Sequence, residues 1–103
     1  MRTGYILTQA ADRDLRDIVR YTRDRSGHAQ ARAYSAALRR CIESVAAGTG
    51  SGKNVDSLHP GLRMLRCRHH VIFCLLRRDS PALVVAILHE RMDLLVRLSE
   101  RLK

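Results

Sequence analysis

The stretches HHVIFCLL (His69–Leu76) and ALVVAIL (Ala82–Leu88) carry apolar side chains on both alternating faces. In an extended chain Val71, Phe73 and Leu75 point one way, and Ile72, Cys74 and Leu76 the other. A sheet with one wet face alternates apolar and polar residues, so strands like these need cover on both sides. That need decides how the rest of the chain must be used.

One cover lies upstream. Thr3–Leu7 is a short strand candidate, and Thr8 after it suits a helix N-cap. Ala11, Leu15, Ile18 and Val19 follow at helical spacing, Asp12 complements the helix dipole, and Gly27 marks a C-terminal stop. A second helix is predicted over His28–Ala47, with Tyr34, Leu38, Cys41, Ile42 and Val45 along one face. The break at Ser26–His28 folds the two into an antiparallel hairpin. For the other sheet face only Asp93–Leu102 remains, capped by Asp93 and apolar at Leu94, Leu95, Leu98 and Leu102. So short a helix is expected to leave part of that face greasy, as a groove for a partner.

Three strands are predicted between the helical parts: Leu62–Arg66, His69–Arg77 and Leu83–His89, with RRDSP turning the chain between the last two. The predicted class is α+β with the order β-α-α-β-β-β-α. A helix hairpin packs on one face of a small, mainly antiparallel sheet, and a short C-terminal helix follows. Residues 1–103 have the length of a single domain. The N-terminal segment lacks the continuous apolar stretch of a signal peptide, and no apolar run reaches the ~18 residues of a membrane span.

The loop AGTGSGKN (Ala47–Asn54) resembles a phosphate-binding loop only superficially. That motif needs Gly where Ala47 stands and Ser or Thr where Asn54 stands. It also needs a strand feeding a helix, whereas this loop follows a helix and precedes a strand. It reads as a connector. A metal site from Cys67, His69, His70 and Cys74 fails on geometry, because Cys67 and His69 share one strand face and His70 and Cys74 the other. Three cysteines, Cys41, Cys67 and Cys74, without C-x-x-C spacing, argue against a disulfide framework and for a reducing cytosol. The cysteines then pack as small apolar groups.

Nineteen Lys and Arg against ten Asp and Glu give a formal charge of +9, nearly all of it from Arg. Such a surplus calls for an acidic partner, nucleic acid or protein, between which composition does not choose. The segment LHERMD (Leu88–Asp93) places His89, Glu90, Arg91 and Asp93 where the last strand meets the terminal helix. An imidazole beside guanidinium groups serves acid–base work on a phosphodiester. It serves equally as a structural clamp, and spacing does not separate the two.

The stretch GLRMLRCRHHVIFCLLRRDSPALVVAILHERMD resembles the C-terminal half of ParE toxins of the RelE/ParE superfamily, with their G-x-R and closing I-L-H-x-R-M-D. YILTQAADRDLRDIVRYTRDRSGHAQARAY resembles their strand and helix hairpin, with A-x-x-D-L-x-x-I-x-x-Y in the first helix. The resemblance implies the toxin of a type II toxin–antitoxin pair, serving plasmid maintenance in the cytoplasm. Such toxins trap DNA gyrase on cleaved DNA and are neutralised by the acidic, initially flexible C-terminal segment of a ParD antitoxin. It implies action by protein contact, without catalytic residue, cofactor, metal or membrane. DNA is touched only through antitoxin or gyrase. The expected antitoxin- or target-binding residues are Arg63, Arg66, Arg68, His89, Arg91, Arg97 and Arg101. The superfamily's RelE-like branch, ribosome-dependent mRNA endonucleases, is the alternative. There basic side chains on the sheet work with a Tyr, His or carboxylate, a set that Arg63, Arg66, Arg68, His89 and Arg91 would partly imitate.

Overall fold

A computed structural model describes residues 4–48 and 52–103. The predicted strand residue Thr3 and loop residues Thr49, Gly50 and Ser51 lie outside the described residues. The elements run β1 (Tyr5–Leu7), α1 (Gln9–Ser26), α2 (His28–Ala46), β2 (Lys53–Asn54), β3 (Leu62–Cys67), β4 (His70–Leu75), β5 (Ala82–His89) and α3 (Leu94–Arg101). The sheet order is β1-β5-β4-β3-β2, with β1 parallel to β5 and the other pairs antiparallel. This is the predicted α+β fold with one added strand. β2 was read as loop because its two exposed residues are held only by backbone pairing with β3 at the sheet edge.

The helix boundaries follow their local chemistry. Thr8 Oγ1 accepts the Ala11 N–H at 3.0 Å, and Asp12 sits in the first turn. Gly27, at φ +90°, ends α1 and starts α2, so one residue reverses the chain. Asp93 Oδ1 accepts the Val96 N–H and caps α3. On the hairpin side, Leu15, Leu38, Ile42 and Val45 pack on Ile72, Cys74, Val84 and Ile87.

The second sheet face departs from expectation. Leu62, Val71, Phe73, Val85 and Leu88 are at most 3% exposed, packed under Leu98 with Leu94 and Leu102 beside it. Among the described residues the centre of this face is sealed by α3 and leaves no open groove there. A helix about 10 Å wide spans two strands set about 4.8 Å apart, and eight residues extend about 12 Å along them. Around that centre Val55, Met64, Leu75 and Leu83 are partly buried. Apolar surface is exposed instead on the outside of α3, at Leu95 (65%) and Val96 (52%), and in the turn before it, at Met92 (45%).

α3 is also fastened around the sheet edge. β1 pairs with β5 only from Ala82 to Val84, so the next part of that edge needs other partners. Asp14 Oδ2 accepts the Ile87 N–H at 3.0 Å, and Arg101 donates to the Val85 carbonyl at 3.0 Å. The two side chains close on each other through paired 2.8 Å bonds. This Asp14–Arg101 pair therefore ties α1 to α3 across β5.

The cysteine reading needs correction as well. Cys41 of α2 and Cys67 of β3 are joined by a disulfide, with Cα atoms 6.4 Å apart. Their separation of 26 residues matches no local motif, so only the docking of α2 on β3 brings them together. Cys74 does behave as a small core residue, and burial pushes its thiol up to about 11.

Candidate interaction site

The strand register places His70 opposite His89 on the hairpin side of the sheet. Their rings meet edge to face with centroids 5.2 Å apart. Tyr34, from the apolar stripe of α2, reaches over them. Its hydroxyl lies 2.7 Å from His70 Nδ1 and accepts the His69 N–H at 3.2 Å. A hydroxyl can donate and accept at once, so Tyr34 bonds this ring in either of its tautomers while holding the His69 N–H. His89 Nδ1 accepts the Arg91 N–H at 3.1 Å, which places the proton of the neutral ring on Nε2.

Burial first, and then the neighbouring His89 and His69, lower His70 to about 4, so this imidazole is neutral at pH 7. Burial also raises Tyr34. Around them opens a cleft of about 420 Å³, walled by Ile18, Tyr21 and Arg25 of α1, Tyr34 of α2, and the two histidines. The Arg25 guanidinium lies 5.6 Å from the centre of the exposed Tyr21 ring. The cleft has aromatic walls and imidazole N–H donors. It can receive an apolar or aromatic side chain from a partner and satisfy an acceptor group beside it.

The seven predicted residues do not form one site. Arg63 is turned inward and holds the loop before β3, donating to Asp56 at 3.0 Å and to the Leu62 carbonyl at 2.9 Å. The Gly61 N–H and this Arg63 contact hold Asp56 below the usual carboxylate range. Arg66 lies on the α3 side of the sheet and pairs with Glu90, which also bonds His69 Nδ1 at 3.1 Å. Those partners, His69 foremost, lower Glu90. Arg68 occupies the β3–β4 turn at φ +59°. His89 lines the cleft, Arg91 and Arg97 are exposed near and on α3, and Arg101 is engaged with Asp14, which raises its pKa.

Tyr34 and His70 were visible in the sequence only as a stripe member and a strand residue. A hydroxyl inside an apolar stripe is the signal that would have flagged Tyr34, since a buried phenol seeks a partner. Among the described residues no cluster of His, Cys, Asp and Glu is built to hold a metal ion. No helix is long and apolar enough to cross a membrane.

The chain thus places a helix hairpin and a short terminal helix on either side of a five-stranded mixed sheet, with a strongly basic composition. A solved chain titled as the chromosomal ParDE TA system from P. aeruginosa superposes with a TM-score of 0.67, covering 84% of this chain and 94% of that one at 18% identity. Residues 5–94 match the family described as ParE toxin of type II toxin-antitoxin system, parDE. The chain belongs to that family. It is 58% identical over 101 residues to Toxin ParE of Escherichia coli, covering 98% of each chain. It is 36% identical over 93 residues to Toxin ParE1 of Mycobacterium tuberculosis, covering 90% of this chain and 95% of the relative.

Proposed function

We propose that this toxin acts in the cytoplasm as a single domain, by protein contact and not by catalysis. On this reading it traps DNA gyrase on cleaved DNA until a ParD antitoxin captures it. The near full-length match to a ParE toxin carries the reading. Charge and surface chemistry support it. Many carboxylates are engaged in ion pairs, including Asp12, Asp14, Asp17, Asp56 and Glu90. The excess of arginines faces outward.

Leu95 and Val96 on the outer side of α3 and Met92 in the turn before it form an exposed apolar strip beside Arg91 and Arg97. An acidic amphipathic segment of the antitoxin would lay its apolar face on this strip and its carboxylates on the two guanidiniums. Apolar burial at about 25 cal/mol per Å² would supply most of the affinity, less the cost of ordering the segment, and charge would speed the encounter. A second, neighbouring contact surface, toward gyrase, is the β3–β4 turn with Arg66 and Arg68 and the adjoining His89 cleft. Arg63 and Arg101 are left out of both surfaces, since their guanidiniums are used inside the fold.

The test is a gyrase reaction with supercoilable DNA and ATP. Adding the toxin should accumulate cleaved DNA, and mixing it first with its antitoxin should prevent this. Normal supercoiling without cleaved product at large toxin excess would overturn the reading.

A further inference from the structure

The Cys41–Cys67 disulfide joins the hairpin to the sheet at one place. We propose that it is a reversible redox site, a dithiol–disulfide pair that exchanges with low-molecular-weight disulfides and thiols and sets how firmly α2 is held on β3. The two cysteines border an open depression of about 310 Å³ that a small thiol can enter, flanked by Arg40 and Arg68. Cys41 is partly exposed, whereas Cys67 is 4% exposed, so exchange begins at Cys41. Cys74 is fully buried and does not compete. Leu38, Ile42 and Val45 of α2, each 0% exposed, pack the hairpin on the sheet independently of the covalent bond.

Each step balances. The Cys41 thiolate attacks a disulfide such as oxidised glutathione, forms a mixed disulfide and releases one thiolate. The Cys67 thiolate then attacks the Cys41 sulfur, closes the protein bond and releases the second thiolate. The protein dithiol loses an electron pair and its thiol protons, and the small disulfide is reduced to thiols. Closing the bond shortens the free chain of the unfolded state across 26 residues, so oxidation stabilises the fold. The inference does not depend on the toxin's target.

The experiment holds the full-length chain in glutathione buffers of graded composition, quenches with acid, alkylates with iodoacetamide and reads the mass. Cys41 and Cys67 should be protected together in oxidised glutathione and alkylated together in reduced glutathione. The oxidised protein should melt about 10–20 °C above the reduced protein. Cys41→Ser should melt at one temperature in both buffers, close to that of reduced wild type. Either of two results overturns the proposal: a chain that keeps both thiols, or a lone glutathione adduct, in oxidised glutathione; or oxidised and reduced forms melting within about 2 °C of each other. Both states of the unmutated chain are measured, so a poorly folding variant does not blunt the test.

Discussion

Replacing Arg101 with Met keeps much of the side chain's length and apolar stem while removing its charge and donors. In the folded chain this guanidinium gives Asp14 two bonds of 2.8 Å and the Val85 carbonyl one of 3.0 Å. Without it the Asp14 carboxylate, 15% exposed, keeps only the Ile87 N–H, and the Val85 carbonyl loses its donor. Removing one partner of a buried ion pair costs about 3–5 kcal/mol. With Arg101 itself 24% exposed, water reaches the site in part, and the expected loss falls to about 2–3 kcal/mol. For a domain of this size that lowers the melting temperature by about 10–20 °C. Urea unfolding followed by circular dichroism measures it, and the amide protons of α3 should exchange faster than in wild type.

The double variant Asp14→Asn with Arg101→Met separates the cause. Asn still accepts the Ile87 N–H but leaves no unpaired charge, so it should recover about 1 kcal/mol relative to Arg101→Met alone. A single variant within about 0.5 kcal/mol of wild type would refute the clamp. A full loss without recovery in the double variant would assign the effect to packing of the arginine stem.

Acid should weaken the fold through His70. His70 is held near 4 in the folded chain and titrates near 6.5 when unfolded, so the unfolded state alone takes up a proton as pH falls through that window. Stability should fall by about 1–3 kcal/mol between pH 6.5 and 4.5, allowing for partial exposure, and His70→Gln should flatten the dependence in a pH series of urea melts. Asp56 and Glu90, both lowered, hold their contribution above the ordinary carboxylate range and lose it only at lower pH. Gly61→Ala should cost about 2–4 kcal/mol, because φ there is +84° and a Cβ would stand 2.7 Å from the Leu76 carbonyl oxygen. Leu95→Glu with Val96→Ser should leave the unfolding midpoint nearly unchanged yet weaken antitoxin binding at least tenfold by calorimetry. Unchanged affinity would remove the outer face of α3 from the proposed interface.

Much of the fold was legible because local chemistry and tertiary need agree in it. Thr8, Gly27 and Asp93 mark helix ends that the backbone then uses, and the two-sided apolar strands demanded the layers that cover them. What failed to show were contacts decided by docking. Asp14 and Arg101 are 87 residues apart, Tyr34 and His70 are 36, and nothing near any of them in the chain announces the partner. Coverage of the second sheet face was misjudged for a related reason. Leu94, Leu98 and Leu102 do face the sheet, whereas Leu95, expected on the same side, is 65% exposed; the area the three hide depends on strand spacing and on the Asp14–Arg101 pair that holds the helix down. Of the predicted arginines, Arg63, Arg66 and Arg101 each meet a carboxylate that the fold fixes nearby, and sequence spacing gives no sign of which these are.

That redistribution bears on how a partner can attach. Adding a strand to the sheet needs a free edge of backbone donors and acceptors. Along β5 that edge is filled, first by β1 and then by the Asp14 carboxylate and Arg101 guanidinium. On this side of the sheet, exposed apolar surface lies at the start of α3, on Leu95 and Val96 with Met92 in the turn before them, flanked by the exposed Arg91 and Arg97. An antitoxin segment reaching this side therefore gains little as a strand and much as an acidic amphipathic helix. Its ordering is then part of the binding free energy, so stabilising its helix without touching any contact residue should tighten capture.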